Sequence, residues 1–154
     1  MTEAAGPAVL RLGSDLSEVA RLNDWYAGEV AGAGVPPDLA GDLKLCLNEA
    51  VANVLSYAFE GDDAPAAPEV EVRLLLSPCR ASAEVIDNGI AFDPLSRPRA
   101  APLTDLATAG IGGFGITLIR ETAAEVRYRR AEGRNHLTMV CLARAEAQSP
   151  DAPR

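Results

Sequence analysis

Residues 45–61 read LCLNEAVANVLSYAFEG, and their spacing predicts a helix with two different faces. We expect this helix to run from about Pro36 to Phe59, since proline is well tolerated in a first helical turn. Apolar residues recur at helical spacing and predict a buried stripe made of Leu39, Leu43, Cys46, Leu47, Ala50, Val51 and Val54. Glu49 and Asn53 are one turn apart and share another face. That face is either a solvated polar row or a site where a carboxylate accepts a proton beside an amide that binds Mg²⁺.

The rest of the chain divides into predicted strands and helices whose order is typical of an α+β fold. Strands are predicted at 8–12, 69–76, 81–87, 124–130 and 136–143, with further helices from 14 to about 32 and at 112–123. Hairpin-joined strands with helices gathered apart from them predict a two-layer α/β sandwich. Its sheet is expected to be mixed and mostly antiparallel, with the helices on one face. We expect one domain over residues 1–145 and a disordered tail at 146–154.

The first helix is predicted to begin with Ser14 or Asp15 as its cap, with Glu18 completing a capping box. Its apolar face is predicted to comprise Leu16, Val19, Ala20, Tyr26, Ala27 and Val30. Trp25 falls off this stripe, so we expect it on the surface. An exposed tryptophan there would be a reasonable anchor for a protein interface.

Charge and composition exclude several classes of function. A formal net charge of −8 repels polyanions, so nucleic acid is not expected as a partner. No run approaches the roughly 18 apolar residues of a membrane helix, and the first residues do not resemble a secretory signal. The three cysteines, Cys46, Cys79 and Cys141, lack metal-ligand spacing and suit the reducing cytoplasm, where we expect the protein.

Residues 85–94 read VIDNGIAFDP and place an aspartate at the end of a predicted strand. One interpretation is a plain turn, because Asn-Gly is a common turn dipeptide. The other is a base-binding site in which Asp87 accepts a hydrogen bond from an exocyclic amine. In that case Gly89 would let the backbone approach a flat base, and Phe92 and Pro94 would form the pocket wall.

Residues 110–116 read GIGGFGI and form a glycine-rich turn that enters the last predicted helix. Glycines at a helix start expose backbone N–H groups, and the helix dipole favours phosphate there. The alternative is a flexible hinge. The preceding stretch, rich in proline and alanine, is long for a loop in a compact domain and is typical of a lid.

Taken together, NEAVAN, DNGIAFDP and GGFGI resemble the N box and the two glycine boxes of the Bergerat-fold ATPases, which include histidine kinases, Hsp90, gyrase and MutL. Within that superfamily the chain is most similar to the small anti-sigma-factor serine kinases, the RsbW-like group. The likeness covers about residues 8–143.

The resemblance implies a role for each matched residue. Glu49 matches the general base for a substrate serine, and Asn53 matches the asparagine that coordinates Mg²⁺. Asp87 matches the aspartate that reads the adenine amino group, with Gly89 and Phe92 beside it. The second glycine box, along the triphosphate, is matched by Gly112, Gly113, Phe114 and Gly115, and residues 95–110 match the ATP lid.

The function implied is an ATP- and Mg²⁺-dependent serine/threonine kinase acting on a small anti-sigma-factor antagonist of the STAS type. Such a kinase would also bind a sigma factor or a similar target, and this target would compete with the antagonist for the kinase. Proteins of this group often form homodimers. In some kinases of this group an arginine directly precedes the second glycine box and reaches the γ-phosphate. This chain has no arginine there, and only Arg97 and Arg99 lie earlier in the lid.

This difference favours an alternative function, a regulator that binds ATP without phosphotransfer. A general ATP hydrolase is a third hypothesis.

Overall fold

The computed structural model describes residues 6–96 and 111–144, which form one five-stranded sheet and a layer of helices. The elements are β1 (Ala8–Leu12), α1 (Glu18–Ala33), α2 (Pro37–Asn53), a π-helical turn (Val54–Ala58), β2 (Val70–Leu76), β3 (Arg80–Asp87), a 3₁₀ turn (Pro94–Ser96), α3 (Ile111–Thr122), β4 (Glu125–Ala131) and β5 (Arg134–Leu142). The predicted disordered tail and all but the first two residues of the predicted lid lie outside the described residues.

The strands are arranged in the order β1-β2-β3-β5-β4, and each of the four pairings is antiparallel. The predicted α+β sandwich is therefore confirmed, but the expectation of a mixed sheet is wrong within the described residues. The reason is topological. The connections that precede β2 and β4 each cross the helical layer and return the chain antiparallel to its neighbours.

One face of the sheet packs against the helices and forms the core. Val72, Val85 and Met139 come from three neighbouring strands and are fully or almost fully buried. Helix α2 covers them with the stripe that its spacing predicted, and six of the seven predicted residues are buried: Leu39, Leu43, Cys46, Leu47, Ala50 and Val51. Each buried leucine contributes roughly 1.5–3 kcal/mol, so α2 is the element that fixes the helical layer to the sheet.

The start and the buried face of α1 differ from the prediction. The helix begins at Glu18, and the Asp15 side chain instead accepts a hydrogen bond from the Ser17 N–H at 2.8 Å. Leu16 consequently lies before the helix and is 57% exposed, while Leu22 is fully buried. Trp25 is partly buried and packs against the core, so the expectation that it lies exposed on the surface is wrong. Its use as an interface anchor stays a prediction. The helix is rotated relative to the predicted stripe because Leu22 and Tyr26 face the sheet.

The second predicted helix changes character at its end. Its α-helical part ends at Asn53, and Val54–Ala58 forms a wider π-helical turn. Such turns occur frequently at functional sites, because the extra residue per turn redirects the side chains that follow.

No helix within residues 6–96 and 111–144 is long and apolar enough to cross a membrane.

Candidate functional site

A cleft of ≈ 720 Å³ opens between the end of α2, the sheet and α3. Its volume lies within the range of roughly 300–1,000 Å³ that is typical of small-molecule sites. The lining is mostly apolar and consists of Ala50, Asn53, Val54, Tyr57, Ala58, Glu60, Gly61, Asp87, Ile90, Phe92, Pro94, Ile116, Tyr128, Asn135 and Leu137. The cleft thus brings the predicted site residue Asn53 together with Asp87, Phe92 and Pro94, which belong to a distant stretch of the sequence.

Asp87 is the buried carboxylate of this cleft, at the end of β3 and only 3% exposed. Its Oδ1 accepts hydrogen bonds from the Gly89 N–H and from Asn135 Nδ2, both at 2.9 Å. Its Oδ2 has no hydrogen-bond partner among the described residues. Burial raises the pKa of Asp87, and the two donors together with Arg130 and His136 oppose that rise. One carboxylate oxygen therefore remains as an acceptor for a ligand in the cleft.

Asn135 holds this carboxylate and was not predicted as a site residue. It is paired with Asp87 in the β3–β5 register, and its Nδ2 also donates to the Ile90 carbonyl at 2.8 Å. Its Oδ1 accepts from the Tyr128 hydroxyl at 2.6 Å and from the Phe92 N–H at 3.3 Å. The sequence carries no local signal for this role, because it depends on strand pairing across 48 residues.

Gly89 lies in the predicted place, but the structure gives a different reason for a glycine. A Cβ added here would lie 2.4 Å from the Ala58 carbonyl oxygen and 2.6 Å from the Ala58 Cβ. The next residue, Ile90, donates its N–H to the same carbonyl at 2.9 Å. The missing side chain thus allows close packing on the π-helical turn, and the expected approach to a base stays a prediction.

Two residues near this end of the cleft differ in position, because Tyr57 lines the cleft and Asn88 does not. The Asn88 side chain turns away from it, accepting from the Glu69 N–H at 2.8 Å and donating to the Ala67 carbonyl at 2.9 Å. It therefore fixes the start of β2. Tyr57, in the π-helical turn, lines the cleft and is 39% exposed. Sequence reasoning missed this aromatic side chain because a regular α-helix was expected there.

Glu49 and Asn53 face α3, so the interpretation as a fully solvated polar row is wrong. A Cβ added at Gly115 would lie 3.1 Å from Glu49 Oε2 and 3.3 Å from Asn53 Nδ2. Both side chains are half-buried, and Glu49 lies just beyond the residues that line the cleft. The neighbouring Asn48 exchanges two amide hydrogen bonds of 2.9 Å with Asn23 and so fixes α1 to α2.

The second glycine box lies inside α3 and not in a turn before it. The helix begins at Ile111, so Gly112 and Gly113 belong to its first turn, whose backbone N–H groups have no partner within the helix. Gly115 follows one position after Phe114 and places this helix start beside Glu49 and Asn53. A helix N-terminus favours phosphate, because its first N–H groups point at the ligand and the helix dipole adds to the attraction.

The residues present fit a nucleotide with its metal ion. Asp87 offers an acceptor for an exocyclic amine, and the space beside Gly115 would be filled by any Cβ. Asn53 offers an amide oxygen, and Mg²⁺ usually takes one or two protein oxygens and keeps several waters. Within the described residues, no group of three or more His, Cys, Asp or Glu side chains forms a metal cluster.

The chain is similar in sequence to two bacterial protein kinases. The chain is 39% identical over 101 residues to the serine/threonine-protein kinase BtrW of Bordetella bronchiseptica, covering 64% of this chain and 67% of that protein. It is 31% identical over 111 residues to the serine-protein kinase RsbW of Listeria monocytogenes, covering 70% of this chain and 69% of that protein.

A solved structure of the RsbU and RsbW domains of a Mycobacterium tuberculosis protein superimposes with a TM-score of 0.60 at 15% identity, which supports the fold alone. The match covers 90% of this chain and 32% of that one. The sequence model of a protein family, the histidine kinase-like ATPase domain, matches residues 12–141 of this chain. These findings confirm the resemblance carried by the three motifs: the chain belongs to the histidine kinase-like ATPase domain family.

Proposed function

We propose that this chain is an ATP-dependent serine/threonine protein kinase. The observation that carries the proposal is the meeting of Glu49, Asn53 and Gly115 at the first turns of α3, beside a cleft that ends on Asp87. This arrangement offers an acceptor for a base at one end and a carboxylate with an amide at the other. The two kinases BtrW and RsbW, similar over two thirds of their own lengths, support the same reaction.

Each residue would have a distinct task in the reaction. The Asp87 carboxylate would accept the amino group of adenine, and the N–H groups at the start of α3 would hold phosphate oxygens. Asn53 would contribute its amide oxygen to Mg²⁺. Bound Mg·ATP supplies the transferable γ-phosphoryl group. Glu49 would orient the substrate hydroxyl and accept its proton as the serine oxygen bonds to the γ-phosphorus. The bond from that phosphorus to the bridging oxygen would break at the same time, and ADP would leave.

The partners follow from the family and are part of the proposal. The expected substrate is the serine of a small anti-sigma-factor antagonist of the STAS type, and the expected competing target is a sigma factor or a similar regulator. We place the reaction in the cytoplasm. The free thiols Cys46, Cys79 and Cys141 support that compartment, because thiols stay reduced there.

The test is phosphate transfer to candidate STAS-type antagonists encoded with this chain, using γ-labelled ATP and comparing wild type with Glu49→Gln. We expect serine labelling by the wild type and a loss of about 10²–10⁴-fold in the variant. The affinity for ATP should change little, since Glu49 lies beyond the residues that line the cleft. Equal labelling by both proteins would contradict the assigned role.

The second candidate function is an ATP-binding regulator without phosphotransfer. The sequence favours it at one point, because no arginine directly precedes the second glycine box. Such a cation would stabilise the charge that moves during transfer. Tight ATP binding together with no labelling of any antagonist, but with capture of a target protein that depends on ATP, would select this function.

A further inference from the structure

The best-connected polar group in the cleft is the Asn135 amide, and its contacts reach from β4 to the base-reading carboxylate. We propose that Asn135 and Tyr128 are positioning residues that aim Asp87 at an amino group and so set a preference for 6-aminopurine nucleotides. This inference rests on the proposed ATP site and goes beyond it, because it assigns specificity to residues that would act through Asp87.

The Asn135 amide can adopt only one orientation in this network. Its Nδ2 donates to Asp87 Oδ1 at 2.9 Å and to the Ile90 carbonyl at 2.8 Å, and both of these oxygens act only as acceptors. Its Oδ1 accepts from the Phe92 N–H at 3.3 Å, a group that can only donate. A flipped amide would set donor against donor and acceptor against acceptor. Together with the Tyr128 hydroxyl, which also donates to Oδ1, these contacts use all four hydrogen-bonding positions of the amide.

Tyr128 supplies the shortest contact to this amide. Its hydroxyl donates to Asn135 Oδ1 at 2.6 Å, whereas the Phe92 N–H is 3.3 Å away. Burial raises the pKa of Tyr128 above its ordinary value, so the hydroxyl keeps its proton at neutral pH and remains a donor. Strand β4 thus fixes the amide from the side opposite the carboxylate.

The orientation of the amide decides which carboxylate oxygen meets the ligand. Asp87 Oδ1 is occupied by Asn135 and by the Gly89 N–H, so Oδ2 is the oxygen left for a donor. An amino group would satisfy it, whereas a keto oxygen would be repelled. A buried polar group left unpaired makes such discrimination strong. The carboxylate therefore favours a 6-amino over a 6-keto purine, provided that it is ionised and held in place.

The charge of Asp87 is set from several elements. Arg130 on β4 donates to the Gly89 carbonyl at 2.9 Å, and Arg130 together with His136 on β5 lowers the pKa of the carboxyl group. Asp93 and Asp87 both lie near the Tyr128 hydroxyl. Burial is the larger influence and raises the pKa of Asp87, while the Asn135 donor lowers it. Loss of that donor should raise the pKa further and move the acid side of ATP binding to higher pH.

The experiment measures dissociation constants of the wild-type chain and Tyr128→Phe for two ligands, ATP and the purine riboside triphosphate that lacks the 6-amino group. We expect Tyr128→Phe to weaken ATP binding roughly threefold to tenfold, which is the effect of one hydrogen bond. Binding of the analogue should change less than twofold. Equal losses for both ligands would overturn the inference, because they would show that Tyr128 contacts the nucleotide directly or only supports the fold.

A pH profile gives a second readout. In Asn135→Leu the fall in ATP affinity on acidification should begin at higher pH than in the wild type, and an unchanged midpoint would contradict the proposal. If this variant does not fold, the Tyr128→Phe ratio decides alone. Failure of the proposed function has a different signature, since the wild type itself would then bind neither ligand or bind both equally.

Discussion

Replacing Gly89 with alanine tests the reason that the structure gives for this glycine. The added Cβ would lie 2.4 Å from the Ala58 carbonyl oxygen and 2.9 Å from its carbonyl carbon. Contacts this short are with backbone, so no side chain can rotate away to relieve them. Either the β3 end or the π-helical turn must move.

The expected loss can be worked from these contacts. Overpacking of this kind costs typically 1–3 kcal/mol. The movement also lengthens the 2.9 Å hydrogen bond from Ile90 to Ala58, which adds about 1 kcal/mol. We therefore expect Gly89→Ala to lower the free energy of unfolding by about 2–4 kcal/mol. At about 3–4 °C per kcal/mol for a chain of this size, the melting temperature should fall by roughly 6–16 °C.

The assay is urea and thermal unfolding of the protein without nucleotide. Gly28→Ala is the matched control, since its added Cβ would meet nothing within 4 Å and alanine favours a helix interior by about 1 kcal/mol. The control should therefore be slightly stabilised. If Gly89→Ala is as stable as wild type without nucleotide but binds ATP poorly, then room for the base, and not packing on Ala58, is the reason for the glycine.

Three further predictions concern the cleft. Burial raises the folded-state pKa of Asp87, so its ionised form destabilises the fold above that pKa. In urea unfolding, Asp87→Asn should therefore be more stable than wild type at pH 7, and the difference should shrink as the pH falls. A variant that is less stable than wild type at pH 7 would contradict this. Arg130→Met should weaken ATP binding because Arg130 holds the Gly89 carbonyl at 2.9 Å. Arg129→Met is the control, because the Arg129 side chain is 64% exposed and lies near Glu84 on the other face of the sheet. If calorimetry shows equal effects on ATP binding in both variants, the contact from Arg130 to Gly89 is not the cause. Gly115→Val should reduce phosphate transfer by at least tenfold, because even a Cβ there would lie 3.1 Å from Glu49 Oε2 on α2. Undiminished transfer in the labelling assay would show that this part of α3 is not needed for the reaction.

The fold was predictable because its largest elements carry strong periodicity. The α2 stripe identified the buried face of that helix, and the antiparallel hairpins followed from short turns between strands. The first helix was less predictable, since alanines and glycines make its apolar face weak. Leu22 and Trp25 therefore turned out to face the core where Leu16 and Ala20 were expected.

The site divides in the same way. Asn53, Asp87 and Phe92 belong to sequence motifs, which is why they were predicted as site residues, and in the structure all three line one cleft. Asn135 and Tyr128 belong to no motif, because their contacts arise from strand pairing and from a hydroxyl that reaches the neighbouring strand.

Two other features of the site also depend on tertiary packing. The π-helical turn was missed because local propensity does not distinguish it from a continued α-helix. The position of Gly115 against the α2 carboxylate depends on how two helices pack, which sequence spacing alone does not determine. A homodimer and the absence of nucleic-acid binding stay predictions.

The most direct test of the central claim is calorimetric titration of ATP, with and without Mg²⁺, into wild type, Asp87→Asn and Asn53→Ala. The account predicts one ATP per chain, at least a hundredfold weaker binding in Asp87→Asn, and a binding constant in Asn53→Ala that no longer depends on Mg²⁺. Undiminished ATP binding by Asp87→Asn would show that the nucleotide does not occupy this cleft.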